Sequence, residues 1–191
     1  GVITVSDNNN LDHETTGSYT LTIVASDATS ADLETVTITV TDANDNTPAF
    51  SNGDSASASV DENSQTVGTY AATDADSSAD LTYSIVDDSD GAGNSVDHDL
   101  FSVDADTGAL TFSSAPNYEA PGCGANNNAN SCVVIVQVTD GANTDTITIT
   151  ATVENVAIAI TSNSATIAES AADDSAVLTM ASTGDSADNN G

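Results

Sequence analysis

The chain repeats itself, and this repeat limits the folds that it can adopt. Residues 35–41 (TVTITVT) match residues 146–152 (TITITAT) without a gap, and residues 11–14 match residues 116–119. The period is about 105 to 113 residues, and its variation falls in a cysteine-containing segment that behaves as an insertion between two strands. Self-similarity at a fixed period is the signature of tandem copies of one structural unit.

Apolar and polar residues alternate over short runs within each copy, as half-buried antiparallel strands require. Leu81, Tyr83 and Ile85 form one such run. Asp-Gly turn signals separate the runs, and no segment has a sustained helical period. We therefore expect an all-β protein built from tandem seven-stranded Greek-key sandwiches of immunoglobulin-like architecture.

The phase of the repeat divides the chain into three parts. Residues 1–45 are expected to hold the C-terminal part of one unit, and residues 46–156 to form a complete unit. Residues 157–191 then hold the N-terminal part of a third unit, because a segment near residue 167 matches one near residue 60. Neither partial unit closes a sandwich by itself. The chain is therefore either an excerpt from a tandem array, or its partial units are completed by neighbouring copies.

The charge of the chain is entirely one-sided. It has 24 Asp and 6 Glu but no Lys or Arg, which gives a formal net charge of −30. Nucleic acids and anionic membranes are bound through Lys and Arg, so we expect neither as a partner. No stretch is apolar and long enough for membrane insertion. The lack of fixed cations, of Trp and of a nucleophile motif also argues against an enzyme.

Residues 42–50 (DANDNTPAF) concentrate acceptor oxygens in a turn-prone stretch between two strand patterns. Pro48 then sends the chain out in an extended conformation. Ca²⁺ takes about 6–8 oxygen ligands from carboxylates, amides and backbone carbonyls. The stretch therefore favours a cation site between two domains, and a flexible polar linker is the alternative.

Five motifs in order along the chain resemble those of the cadherin repeat. DANDN resembles the family's Asp-x-Asn-Asp-Asn motif, and residues 11–14 (LDHE) resemble Leu-Asp-Arg-Glu with His in the Arg position. Residues 74–76 resemble Asp-x-Asp, and residues 60–63 resemble the family's Glu-Asn segment. Asp27 and Asp140 fall at its Ala-x-Asp position. The resemblance implies seven-stranded sandwiches with Ca²⁺ ions clamping each domain junction.

The resemblance also implies which residues bind Ca²⁺. At the first junction these are Asp12, Glu14, Asp42, Asn44, Asp45, Asp74, Asp76 and Asp140. Asp27 is expected to serve the preceding junction. So many carboxylates repel one another without metal, and the two or three Ca²⁺ ions that the family implies nearly cancel their charge. We expect a junction that is stiff with calcium and hinged without it.

The second junction departs from this pattern. The ungapped match places valines opposite the linker residues Asp42 and Asp45, so that Glu62 and Glu119 are left as ligands. We expect weak or absent Ca²⁺ binding there. The residues expected to make apolar contact instead are Val153, Val156 and Ile158.

Two cysteines and two histidines complete the candidate residues. Cys123 and Cys132 bracket an Asn-rich loop, and two thiols are too few for a zinc site. A local disulfide is expected, which implies an oxidising compartment, and two unpaired thiols are the alternative. His13 and His98 are expected to be solvent-facing surface residues, since Ca²⁺ prefers oxygen ligands.

These observations together predict a structural and adhesive function. We expect an extracellular, calcium-stiffened segment of a long cadherin-like stalk or filament, at a cell surface or in a secreted filament. Neighbouring repeats or identical copies are the expected partners. A carbohydrate-binding or spacer module that contacts surface glycans is the alternative, and calcium storage is a weaker one. The one-sided acidic composition favours a microbial source.

Overall fold

A computed structural model describes residues 1–7, 11–76, 79–87, 97–124 and 127–157, and the backbone of residues 159–160 and 182–183. The first strands, β1 (Ser18–Ser26) and β2 (Ala31–Thr39), form an antiparallel hairpin. The strands of the next unit are β3 (Ala49–Phe50), β4 (Ser55–Asp61), β5 (Thr66–Thr69), β6 (Ala72–Thr73), β7 (Thr82–Ile85), β8 (Phe101–Val103), β9 (Ala109–Phe112), β10 (Ser131–Thr139) and β11 (Thr144–Glu154). The strands β12 (Ala159–Ile160) and β13 (Ser182–Thr183) pair with each other. A short 3-10 helix, His98–Leu100, precedes β8.

The unit from β3 to β11 is a sandwich of two main sheets. One sheet has the order β4-β11-β10-β7, and the other has the order β5-β9-β8. The short strands β3 and β6 pair with each other. Only the β4–β11 pair is parallel among the described pairs. If β3 is counted with β4, and β5 with β6, the unit has seven strands, and the predicted all-β sandwich is confirmed.

The core of this unit follows the alternation that the sequence shows. Every second residue of β10 and β11 is buried, and Leu110 of β9 faces them with no exposed surface. Val136 and Ile149 are likewise fully buried. Each such side chain stabilises the fold by about 1.5–3 kcal/mol relative to an exposed position. All buried apolar residues in the described part of the chain lie between Pro48 and Val153.

The β1–β2 hairpin differs, because its apolar row is more than one-third exposed. Tyr19, Leu21 and Ile23 retain 36%, 38% and 37% of their surface. The β1–β2 pair is a two-stranded sheet by itself within the described residues. The assignment of residues 1–45 to a partial unit stays a prediction, and most of residues 157–191 lie outside the described residues.

The cysteine loop is held by two devices. Cys123 and Cys132 form a disulfide, which confirms the predicted pair. Asp97, only 4% exposed, accepts hydrogen bonds from the N–H groups of Gly124 (2.6 Å) and Val133 (2.7 Å). Because the carboxylate accepts one hydrogen bond from each residue, it holds Gly124 of the loop close to Val133 of β10. No motif or pattern in the sequence singles out Asp97.

The structure corrects the alignment of the two repeats by two residues. The pair Ser26↔Ala31 closes the first hairpin, and the pair Thr139↔Thr144 closes the equivalent one. The N–H of Val40 donates to the Gly17 carbonyl, as that of Val153 does to Asn130. These equivalences give an offset of about 113 residues, whereas the ungapped match gives about 111. The ungapped match failed because alternating Thr and Ile residues look alike after a slip of two positions.

Val153 lies inside β11, belongs to the core of its own unit and is only 2% exposed. Most of the third unit lies outside the described residues, so the predicted junction contact of Val153 stays a prediction. Val156 is half-buried beyond the end of the strand, and Ile158 lies outside the described residues. In the corrected alignment Asn155 is the counterpart of Asp42.

Candidate metal centre at the first junction

The linker after β2 is held against the second unit by hydrogen bonds. The N–H of Asn46 donates to Asp76 Oδ2 (3.0 Å), and its side-chain amide donates to Asp76 Oδ1 (2.7 Å). The amide of Asn143 donates to the Asn46 carbonyl (2.7 Å), and that of Asn44 donates to the Asp140 carbonyl (3.1 Å). The carboxylates and amides of the two units therefore meet at this junction.

Six carboxylates form a connected cluster here. One oxygen each from Glu14, Asp45 and Asp76 lie within 4.8 Å of one another. The same holds for Asp74, Asp76 and Asp140, and for Glu14 and Asp42 together with a ring nitrogen of His13. The groups share Glu14 and Asp76, so the cluster runs from the first unit through the linker into the second. It contains six of the eight residues predicted for this site.

Two carboxylate oxygens in the group of Asp74, Asp76 and Asp140 are buried without a hydrogen-bond donor. They are Oδ2 of Asp74 and Oδ2 of Asp140. The other oxygen of each residue accepts backbone N–H groups, from Asp76 and from Ala142 and Asn143 respectively. A buried acceptor without a donor is costly, and a hard cation satisfies it. The donor set, with oxygen atoms only in this part of the cluster, fits Ca²⁺.

The pKa values within the cluster reflect these contacts. A hydrogen bond from its own N–H lowers the pKa of Glu14, but partial desolvation and the neighbouring Asp42 and Asp76 carboxylates raise it above its ordinary value overall. The N–H groups of Asn143 and Ala142 hold the pKa of Asp140 below its ordinary value, although burial opposes them. Asp140 is therefore ionised at neutral pH. Glu14 is harder to ionise than an ordinary glutamate, because desolvation and the neighbouring carboxylates raise its pKa.

Asp12 and Asp27 cap turns and join none of these groups among the described residues. Asp12 accepts the N–H (2.9 Å) and the hydroxyl (2.8 Å) of Thr15, which hold its pKa below its ordinary value. Asp27 accepts the N–H groups of Thr29 and Ser30, which lower its pKa to about 2. Their predicted roles as ligands stay predictions.

The second junction satisfies its carboxylates without a cation. Glu62, only 3% exposed, accepts the N–H of Tyr118 (3.0 Å) on one oxygen and that of Val156 (2.7 Å) on the other. Glu119 accepts the side-chain amide of Asn155 (2.6 Å). Neither glutamate belongs to a group of three metal-ligating side chains in the described part of the chain.

The corrected alignment makes the two junctions directly comparable. The carboxylate pair Glu14 and Asp42 of the first junction corresponds to the pair Glu119 and Asn155 of the second. The first pair is a contact between like charges, and the second is a hydrogen bond from an amide to a carboxylate. At this position the two junctions therefore differ by an Asp in the first and an Asn in the second.

The structure also places residues that the sequence did not single out. Asn143 is held in the β10–β11 turn by Asp140 and reaches the linker, although no motif marks it. His13 is half-buried, and its Nδ1 lies 2.9 Å from the Val40 carbonyl, so it is not simply solvent-facing. His98 lies on the 3-10 helix, 3.3 Å from carboxylates of Asp87 and Asp99, and its side chain is 26% exposed.

Comparisons with known proteins agree with the fold. No family model matches the chain. Human Protocadherin Fat 1 is 40% identical over 96 residues, which cover 46% of this chain and 2% of that protein. The structure of mouse clustered PcdhgC3 EC1-3 superposes with a TM-score of 0.61 at 27% identity, covering 76% of this chain and 46% of that chain. The Protocadherin GammaB4 extracellular domain gives 0.60 at 26% identity, covering 80% of this chain and 24% of that chain.

The chain is thus similar in sequence and fold to the extracellular domains of protocadherins. The chain spans a small part of the human relative and less than half of either solved chain. The human and mouse relatives give no support to a microbial source. No helix in the described part of the chain has the length and apolar character of a membrane span.

Proposed function

We propose that this chain is an extracellular, adhesive module of the cadherin type whose first junction is stiffened by Ca²⁺. The observation that carries the proposal is the six-carboxylate cluster, which joins residues of the first unit, the linker and the second unit. The similarity to protocadherin ectodomains supports the extracellular location and the adhesive role. The chain's own partners are neighbouring repeats or identical copies.

Calcium stiffens this junction because it replaces repulsion between carboxylates with attraction between carboxylates and cations. Two unit charges 4.8 Å apart, the limiting separation within each group, repel by about 0.9 kcal/mol in water and by more where water is partly excluded. Three divalent ions would neutralise six carboxylates. The bound ions would then connect Glu14 of the first unit and Asp42 of the linker with Asp74 and Asp140 of the second unit. Without the ions the same groups push the units apart.

The second junction is proposed to hold without calcium. Its buried glutamate is satisfied by two backbone N–H groups, and Glu119 by the Asn155 amide. Calcium-dependent stiffness should therefore alternate along an array of such units. This asymmetry allows one joint to bend on chelation while its neighbour keeps its geometry.

A carbohydrate-binding or spacer module is not favoured. Sugar recognition generally uses exposed aromatic platforms, and the exposed aromatic residues among those described are Tyr19 (36%) and Tyr118 (39%). They lie in different units and form no ring pair. Glycan binding therefore has no surface to support it in the described residues.

Small-angle scattering of the 191-residue chain, in calcium and in chelator, tests the stiffening. We expect a narrow, extended distance distribution in calcium and a broader one in chelator. Calorimetric titration should show tight Ca²⁺ binding that is lost in a variant with both Asp74 and Asp76 replaced by Asn. An unchanged distribution together with no calcium heat would refute the proposal.

Bead aggregation tests the adhesive role separately. Beads coated with the chain are expected to aggregate in calcium and to disperse in chelator. Beads that carry the double Asp74→Asn, Asp76→Asn variant are the control. Aggregation that ignores both calcium and the substitutions would show that adhesion does not depend on this junction.

A further inference from the structure

The end of the carboxylate cluster formed by Glu14 and Asp42 also contains a nitrogen atom, which a purely calcium-binding site does not need. A ring nitrogen of His13 and one carboxylate oxygen each from Glu14 and Asp42 lie within 4.8 Å of one another. Ca²⁺ takes oxygen ligands, whereas imidazole suits Zn²⁺, Cu²⁺ and Ni²⁺. This corner of the junction therefore has a different chemistry from the oxygen-only group of Asp74, Asp76 and Asp140.

The imidazole of His13 is oriented by the backbone. Its Nδ1 lies 2.9 Å from the Val40 carbonyl oxygen, and a carbonyl can only accept, so Nδ1 carries the proton and donates. The neutral ring then has its lone pair on Nε2. Metal-binding histidines generally donate their other ring N–H to a backbone carbonyl or a carboxylate, which fixes the tautomer. Val40 supplies that support here.

A cleft adjoins the site. It has a volume of about 360 Å³ and is lined by His13, Glu14 and Asp45, among others, but not by Asp42. Glu14 is exposed, whereas His13 and Asp42 are half-buried. The net charge of −30 also concentrates divalent cations around the protein.

We propose that His13, Glu14 and Asp42 form a binding site for a divalent transition-metal ion of the Zn²⁺ class. One imidazole nitrogen and two carboxylate oxygens supply three protein ligands, and water completes a four-coordinate shell. The site goes beyond the proposed calcium function, because the nitrogen ligand takes no part in it. It shares Glu14 and Asp42 with the carboxylate cluster, so Zn²⁺ competes with Ca²⁺ for these two ligands.

The two histidines of the chain provide a matched test. Zn²⁺ titration by calorimetry and Co²⁺ titration by visible absorption are performed on the wild type, His13→Gln and His98→Gln. His98 also lies beside two carboxylates, so it controls for general metal binding by His in acidic surroundings. Gln retains a donor for the Val40 carbonyl but lacks the imidazole lone pair.

We expect His13→Gln to weaken Zn²⁺ binding tenfold or more and to abolish the Co²⁺ absorption bands, while His98→Gln changes neither. Calcium affinity measured without Zn²⁺ should stay within about twofold in both variants, which separates this inference from the calcium proposal. Glu14→Gln should weaken both metals. Equal Zn²⁺ affinity in wild type and His13→Gln, or a loss only in His98→Gln, would overturn the inference.

Discussion

Replacing Asp74 by Asn should stabilise the calcium-free protein and destabilise the calcium-bound one relative to wild type. Asp74 Oδ1 accepts the N–H of Asp76 at 2.9 Å, and an Asn oxygen can keep this bond. Oδ2 is buried without a donor and lies in the group with Asp76 and Asp140. The substitution therefore removes one charge from the cluster while it preserves the local turn.

The size of the effect follows from the geometry. Asp74 has two carboxylate neighbours within 4.8 Å, and each pair of unit charges at that distance repels by about 0.9 kcal/mol in water. Without calcium the variant should gain about 2 kcal/mol in the free energy of unfolding, or roughly 4–8 °C in melting temperature for a chain of this size. With calcium it loses a ligand, and each tenfold loss of affinity removes about 1.4 kcal/mol of the stabilisation that bound metal gives.

Thermal and urea unfolding can be followed by circular dichroism in chelator and in saturating calcium. The two conditions measure the expected gain in stability without calcium and the expected loss with it. Asp104→Asn is the control, because Asp104 also caps a turn and accepts the N–H of the residue two positions on, that of Asp106 at 3.2 Å, together with the N–H and the hydroxyl of Thr107. Asp104 is exposed and belongs to no metal-ligating group in the described residues. We expect it to show the same small change in both conditions.

The reasoning fails if Asp74→Asn lowers stability by the same amount in chelator and in calcium. That result would mean that Asp74 acts only as a turn cap, as Asp104 does. A gain in chelator with an undiminished calcium response would place the ion elsewhere in the cluster.

Three further predictions concern other parts of the molecule. Asn155→Asp should turn the amide–carboxylate contact with Glu119 into a like-charge contact, and should lower stability in chelator by about 1 kcal/mol with partial recovery in calcium, whereas Asn155→Ala should not recover. Gly108→Ala should cost about 1–3 kcal/mol more than Gly53→Ala in urea unfolding: both glycines have positive φ (69° and 73°), but an added Cβ lies 2.6 Å from the Tyr70 carbonyl oxygen only at Gly108. Hydrogen bonds from Thr29 and Ser30 lower the pKa of Asp27 from 3.8 to about 2, so its contribution to stability is present above pH 3.8 and is lost as the pH falls towards 2. Asp27→Asn should flatten the dependence of the unfolding free energy on pH in that window, and an unchanged pH profile would contradict the argument.

Local patterns in the sequence predicted the fold class and most residues of the candidate site. Alternation of apolar and polar residues predicted the strand β7, because side chains of a strand alternate between its two faces whatever the surroundings. Motifs predicted Glu14, Asp42, Asp45, Asp74, Asp76 and Asp140, which the structure brings together. Short loop spacing predicted the disulfide between Cys123 and Cys132. Each of these rests on residue type and local spacing.

The tertiary structure decided what depends on register and on contacts between distant residues. An alternating Thr and Ile strand reads the same after a slip of two positions, so only the pairing of Ser26 with Ala31 and of Thr139 with Thr144 fixed the true alignment. That alignment put Asn155 in the place of Asp42. The sequence alone could not show that Asn143 reaches Asn46, or that the Val40 carbonyl orients His13. Composition determined that the chain carries only acidic charge, but the fold decided where that charge gathers. Six carboxylates converge at the first junction, whereas at the second junction hydrogen bonds satisfy the two glutamates, Glu62 and Glu119.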